Sequence, residues 1–295
     1  LIKITMVLTG KLTNIFVNPH FEIIFAALIW GSTGAIVKVL NLRPTTITFF
    51  RFAVPAMVMV ILFLFKDIRC LKSNNKLMIL ASALNAVRMP FYFASFMLTT
   101  IANAIIILYT WPIFVTIFGA VFLKEKISRR NIWQLLLAFI GILIIYSNKR
   151  LNFADKDFLG MSSMLLSAFI YSFTVIIFKR ESQKHSKYEI IWYQNIFGAF
   201  AFFPFLCINH PFPTSGQFVL LTGYACLIGV IGFSLFFSAL KKIKASVAAL
   251  LTYFEVITAI LLGLIFFKET ISWNIFAGSL LIVGSTILQK RKYKI

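Results

Sequence analysis

Three charged side chains stand where their neighbours are apolar: Arg51 in Phe49-Phe50-Arg51-Phe52, Arg88 in Ala86-Val87-Arg88-Met89-Pro90, and Glu255 in Tyr253-Phe254-Glu255-Val256-Ile257. A bare carboxylate at the centre of a membrane helix costs about 2.5–3.5 kcal/mol on insertion scales, so Glu255 needs a partner, a proton or a water-filled cavity. Arg88 lies about eleven residues into its apolar run and Glu255 about ten into its own. At ~1.5 Å per residue both are ~15 Å deep, close to a bilayer midplane. Two readings follow. The two charges form a structural ion pair, or they line a central cavity where Arg88 takes a substrate carboxylate and Glu255 an amino group, a sulfonium or a coupling proton. Arg51 is about six residues from the outer end of its run. There its long stem can snorkel or reach a neighbouring helix, or the guanidinium can serve an outer gate or steer anions. Trp30, Tyr109, Trp111 and Tyr253 are the aromatic candidates for pocket lining, because aromatic faces near the midplane hold organic cations or rings. Ser32, Asn85, Tyr92, Tyr171, Gln194 and Asn195 are further polar candidates, some of which must simply hydrogen-bond between helices or anchor at an interface.

The elements that must hold these residues are set by composition. Apolar residues make up 60% of 295 positions and charged residues 13%, with 34 Phe, more than a soluble domain of this length can bury. The sequence therefore predicts an all-α integral membrane protein. Apolar stretches bounded by charge or turn residues give ten transmembrane helices, at roughly 21–40, 45–65, 77–98, 101–123, 131–147, 158–178, 188–208, 218–240, 245–267 and 271–289. The connectors are short, so no soluble domain is inserted. Prolines 55, 90, 112 and 204 interrupt four spans, each removing a backbone donor and bending its helix. Ala27, Gly31 and Ala35 recur every fourth position in the first span and permit close helix contact.

The net charge of +20 does not point to nucleic acid, since Lys and Arg form short clusters between apolar runs. Most of the 29 fall in alternate connectors, such as Lys124/Lys126/Arg129/Arg130 and Lys179/Arg180/Lys184/Lys187, and in the two tails. By the positive-inside rule both termini are cytoplasmic, with residues 1–20 a retained tail and 290–295 a short basic one. The chain also repeats. At an offset of 144, Ala104 falls on Ala248, Tyr109 on Tyr253, Gly119 on Gly263, and Lys124-Glu125-x-Ile127-Ser128 on Lys268-Glu269-x-Ile271-Ser272. Trp30 meets Tyr171 and Lys38 meets Lys179 at 141. Each half has five spans, an odd number, so the second half enters the membrane the other way round. That is the inverted repeat of secondary transporters.

The two copies Tyr109-Thr110-Trp111-Pro112…Leu123-Lys124-Glu125 and Tyr253-Phe254-Glu255-Val256…Phe267-Lys268-Glu269 resemble the end of the EamA repeat of the drug/metabolite transporter superfamily. Trp30-Gly31-Ser32-Thr33 and Phe49-Phe50-Arg51-Phe52 resemble its opening. The resemblance implies two repeats, residues 21–147 and 158–289. It differs in two places: the family's Glu-Pro pair is split between the copies, and Lys124 and Lys268 stand where Gly is usual. Members move amino acids, other small metabolites, drugs and S-adenosylmethionine, by exchange or proton-linked export, which implies alternating access in a bacterial inner membrane.

The enzyme classes lack their motifs. There is no His-Glu-x-x-His, no Gly-x-Ser-x-Gly and no phosphate-binding Gly-x-x-x-x-Gly-Lys, and the three His are scattered, so no catalytic residue, cofactor or metal ligand is assigned. The three Cys have no framework spacing, and no disulfide is expected. The expected partners are a small-molecule substrate and membrane lipid, with no nucleic acid, in a monomer or homodimer. A zwitterion such as an amino acid or derivative suits one acid and one base at similar depth; an organic cation such as S-adenosylmethionine is the alternative. A non-transporting membrane scaffold would explain a buried ion pair but not the repeat.

Overall fold

The computed structural model describes residues 18–66, 76–147, 155–207, 212–269 and 273–287. Most of the amino-terminal tail, the Arg69/Lys72 cluster with Cys70, Lys149 and Arg150, His210, the Ile271-Ser272 pair and the basic tail 290–295 lie outside the described residues. Every regular element among the described residues is helical. The first half comprises α1 (Pro19–Trp30), α2 (Thr33–Leu40), α3 (Pro44–Lys66), α4 (Lys76–Leu98), α5 (Ile101–Leu108), α6 (Trp111–Leu123) and α7 (Arg129–Tyr146). The second comprises α8 (Lys156–Glu181), α9 (Lys187–Cys207), α10 (Ser215–Cys226), a π-helical turn (Leu227–Gly232), α11 (Phe233–Lys242), α12 (Ala245–Leu251), α13 (Phe254–Phe267) and α14 (Trp273–Ile287).

Eight helical segments among the described residues are long and apolar enough to cross a bilayer, counting α1/α2, α5/α6, α10/α11 and α12/α13 each as one. The two other expected spans are α7 and α14. The first is 18 residues long and opens on Arg129-Arg130-Asn131, which dilutes its apolar run. Of the second, 15 residues are described, ~22 Å of helix against a hydrocarbon core of about 30 Å. These two helices pack against each other.

The interruptions have a local chemical cause. At three of them a hydroxyl side chain returns to the carbonyl three residues back: Ser32 Oγ to Ile29 (2.8 Å), Thr110 Oγ1 to Ile107 (2.9 Å) and Thr252 Oγ1 to Ala249 (2.7 Å). The Ile29 and Ile107 carbonyls also accept the backbone N–H of Ser32 and Thr110 (3.2 and 3.0 Å), so hydroxyl and amide together close a tight turn in a medium without water. Pro112 at the second position of α6 restarts that helix, where a missing N–H costs nothing. Gly31 is required at the first break by crowding: a Cβ there would lie 2.7 Å from the Glu255 carbonyl and 2.5 Å from Thr258 Cβ.

Packing joins the halves in pairs. The span α3 lies on α9, α4 on α8, α1 on α11 and the π turn, and α5/α6 on α12/α13. The Lys-Glu turns lock the last pair reciprocally. Glu125, after α6, accepts the Ala245 N–H (3.1 Å) and the Ser246 hydroxyl (3.1 Å) at the start of α12. Glu269, after α13, accepts the Ile101 and Ala102 N–H groups (3.1 and 3.5 Å) at the start of α5. Each carboxylate thus satisfies donors left orphaned at a helix N-terminus and meets the positive end of its dipole. The chain reaches these positions through left-handed turns at Lys124 (φ 54°) and Lys268 (φ 51°), the conformation that explains why Gly is usual there.

Candidate functional site

The interruptions surround one internal cavity. Trp30 ends α1 and Thr33 begins α2; Leu108 ends α5 and Trp111 begins α6; Glu255 is in the first turn of α13; Ile228 is in the π turn and Phe233 begins α11. All of them line the cavity, together with Arg51 of α3, Arg88, Met89 and Tyr92 of α4, Tyr171 of α8 and Tyr224 of α10. Broken helices at the midplane are the means by which transporter bundles build a binding site from backbone and side chains together. The cavity volume is about 50 Å³, well under the roughly 300–1,000 Å³ of ordinary small-molecule sites.

Arg88, Glu255, Trp30 and Trp111, expected to face a pocket, come together in this cavity. Arg88 is 5% exposed and Glu255 4%, yet among the described residues they make no ion pair with each other. Arg88 donates through Nε to Asn85 Oδ1 (2.9 Å) and through Nη1 to Ser167 Oγ (3.5 Å), with its guanidinium over the Tyr171 ring at 4.1 Å. Trp111 packs edge-on to the same tyrosine at 5.1 Å. Glu255 is instead held by Tyr109, whose hydroxyl meets Glu255 Oε2 at 2.7 Å and also contacts the Thr252 carbonyl. The structural ion pair is therefore not what satisfies these two charges: neutral oxygens and an aromatic face serve Arg88, while a phenol and the N-terminal dipole of α13 serve Glu255.

Of the alternatives for Arg51, the structure shows the bond to a neighbouring helix and not snorkelling: it is 3% exposed, turned inward onto the same cavity, with Nη1 donating to Asn195 Oδ1 of α9 (3.2 Å) and its guanidinium 4.9 Å from the Phe233 ring centre. The sixth residue of a run is near enough to the surface for either direction, and here close packing against the π turn decides; a Cβ on Gly229 would lie 2.9 Å from Arg51 Nη1. Tyr109 and Tyr253 are not cavity walls. Their rings pack 4.7 Å apart behind Glu255, and the Tyr253 hydroxyl donates to the Tyr109 carbonyl (3.2 Å). Tyr92 and Tyr171, among the open polar candidates, are cavity walls, and Thr33, Met89, Leu108, Tyr224, Ile228 and Phe233 line it too without having been singled out as site residues in the sequence. One signal for Tyr224 was available, a lone phenol inside an otherwise apolar span.

The model of the EamA-like transporter family matches residues 20–147 and again 158–289, which is most of the chain. The chain belongs to the EamA-like transporter family. This EamA protein is a membrane transporter and not an enzyme. It is 24% identical over 270 residues to an uncharacterised transporter of Archaeoglobus fulgidus, covering 92% of this chain and 95% of that one. It is similarly 24% identical over 276 residues to the pseudopaline exporter CntI of Pseudomonas aeruginosa, with 92% and 95% covered. Solute carrier family 35 member G1 of Mus musculus is 23% identical over 90% of this chain and 76% of its own. A solved crystal structure superposes with a TM-score of 0.73 at 16% identity, over 92% of this chain and 96% of that chain, and so shares the fold.

Proposed function

We propose that this EamA protein is an alternating-access secondary transporter of a small metabolite, an amino acid or a derivative of one, acting as an exporter or exchanger in a bacterial inner membrane. Its ten spans form two inverted five-helix repeats, residues 21–147 and 158–289, with both termini cytoplasmic. The observation that carries this reading is the reciprocal contact of the two halves. Glu125 holds the start of α12 and Glu269 holds the start of α5, at positions 144 residues apart in both donor and acceptor. Two contacts that exchange under a swap of the halves are what a rocking motion needs, one to open while the other closes. The cavity lies between them, walled by both halves.

In this reading Arg88 and Glu255 bind opposite charges of the substrate, and Trp30 and Trp111 enclose its body. Tyr109 and Tyr253 are positioning residues that fix the Glu255 carboxyl. The substrate drives the halves apart and together through differential affinity for the two states, with exchange or a proton gradient as the source of free energy. That a relative is named as an exporter supports outward flux. The deciding experiment is counterflow of labelled metabolites into proteoliposomes loaded with the unlabelled compound. Saturable uptake of at least one, absent from protein-free liposomes, is the expected result. No saturable flux for any compound refutes the reading and leaves a membrane scaffold.

A further inference from the structure

The walls of the cavity carry two guanidiniums and one carboxyl group. Guanidinium stays protonated in proteins, so the surplus is positive whether or not Glu255 holds a proton. Nothing nearby removes it. Among the described residues, the polar partners of Arg51 and Arg88 are the neutral oxygens of Asn195, Asn85 and Ser167, and neither arginine forms an ion pair. Three hydrogen bonds occupy a small part of the ten N–H groups that two guanidiniums offer. The indole N–H of Trp30, on the same wall, is buried with no acceptor among the described residues. Buried charge in a membrane core is costly until an opposite charge reaches it.

The aromatic walls point the same way. A cavity built for an organic cation leaves ring faces open to it. Here Arg88 covers the Tyr171 face at 4.1 Å and stands 5.7 Å from Tyr92, while Arg51 covers Phe233 at 4.9 Å. The protein's own cations hold three of the six aromatic walls, those of Tyr171, Tyr92 and Phe233, against a sulfonium or quaternary amine. The two arginines also approach from different helices, α3 and α4, each backed by its own ring, Phe233 for Arg51 and Tyr171 for Arg88. Each guanidinium is thus held in place independently of the other, so the cavity offers two cationic groups on separate supports.

We propose that the transported molecule has a net negative charge, with two anionic groups and one cationic group, as in a dicarboxylic amino acid or its derivatives, and that Arg51 is the specificity-determining residue that takes the second anionic group. This rests on the reading of the cavity as the substrate site. Arg88 then takes the α-carboxylate, Glu255 the ammonium, and Arg51 with the Trp30 N–H the distal acid.

The test is counterflow in proteoliposomes with a labelled amino-acid panel sorted by charge: aspartate, glutamate and 2-aminoadipate; asparagine and glutamine; lysine and arginine. The wild-type protein is expected to move at least one acid 10-fold or more faster than its matching amide, and bases not at all. Arg51→Gln is expected to lower that acid-to-amide ratio 10-fold or more, and Arg51→Lys to keep part of it, each variant eluting as a folded monodisperse peak. Preference for an amide or a base in the wild type overturns the proposal while leaving the transporter reading intact. An equal loss of acid and amide flux in Arg51→Gln, with folding preserved, also overturns it. Absence of flux across this panel overturns it too, and the broader metabolite counterflow decides separately whether the chain transports at all.

Discussion

Removing one reciprocal carboxylate should unlatch one end of the molecule and not the other. Glu269 accepts Lys38 Nζ at 2.7 Å as well as the Ile101 and Ala102 N–H groups, and it is largely buried. Truncation to Ala removes a helix N-terminal acceptor, about 1 kcal/mol, and a partly exposed ion pair, up to about 1 kcal/mol. The sum of ~2 kcal/mol corresponds to roughly 30-fold in the equilibrium between that end closed and open. At the other end Lys179 is held by the Leu240 and Ile243 carbonyls (2.7 Å each), so it keeps its partners when Glu125 is removed. Glu125→Ala should therefore shift its own end by the cap alone, ~1 kcal/mol or about fivefold. The assay uses Thr33→Cys as a reporter in the cavity wall, in a background with Cys70, Cys207 and Cys226 replaced by Ser. A membrane-impermeant maleimide is added to one face of oriented proteoliposomes at a time. Glu269→Ala should raise the labelling rate from the face bearing Glu269 about 30-fold and lower it from the other, and Glu125→Ala should do the reverse more weakly. Equal acceleration from both faces in either variant, or none, would refute the reasoning.

Gly232→Ala places a Cβ 2.5 Å from Trp30 Nε1, so it should displace the indole and weaken transport about 10-fold or more, whereas Gly223→Ala on the same span meets nothing within 4 Å and should leave flux within twofold; initial counterflow rates check both. Tyr109→Phe removes the hydroxyl that bridges Glu255 and the Thr252 carbonyl, leaving a buried carboxyl group without its partner at a cost of about 1–3 kcal/mol, and should reduce flux about 10-fold. Tyr253→Phe removes only a bond to a carbonyl and should stay within about fivefold. Lys124→Gly and Lys268→Gly relieve residues held at φ 54° and 51°, and each should raise stability by up to about 1 kcal/mol in thermal unfolding of the detergent-solubilised protein.

Depth along a helix could be read from the sequence and rotation about its axis could not. Counting residues into an apolar run places Arg88 and Glu255 at one level, and they do share a cavity. The same counting leaves Arg51 near the surface, because the face on which it projects depends on α9, the π turn and Gly229, which local pattern does not contain. Tyr109 and Tyr253 illustrate the same limit: the repeat pairs them, and their rings do meet, but only packing puts them behind Glu255. The helix breaks at Ser32, Thr110 and Thr252 were legible in principle, since each is a hydroxyl able to bond the carbonyl three residues back. In a continuous apolar run the signal is weak, and Pro112 alone marks one of them strongly. The Lys-Glu turns were visible as a repeat. Their role as caps for the opposite half was not, because donor and acceptor are more than a hundred residues apart.

The central claim is that Arg88 and Glu255, unpaired with each other, are two poles of one substrate site. Saturable counterflow of the transported compound by wild type, Arg88→Gln, Glu255→Gln and the double variant tests it most directly, with each protein first verified as inserted and monodisperse. Truncating one partner of a buried charge contact costs about 2–5 kcal/mol, so each single variant should lose at least roughly 30-fold in the concentration dependence of flux. The double variant should be at least as impaired as either single variant. Wild-type flux and affinity in either single variant, or recovery of transport in the double as a mere structural pair would give, would contradict it.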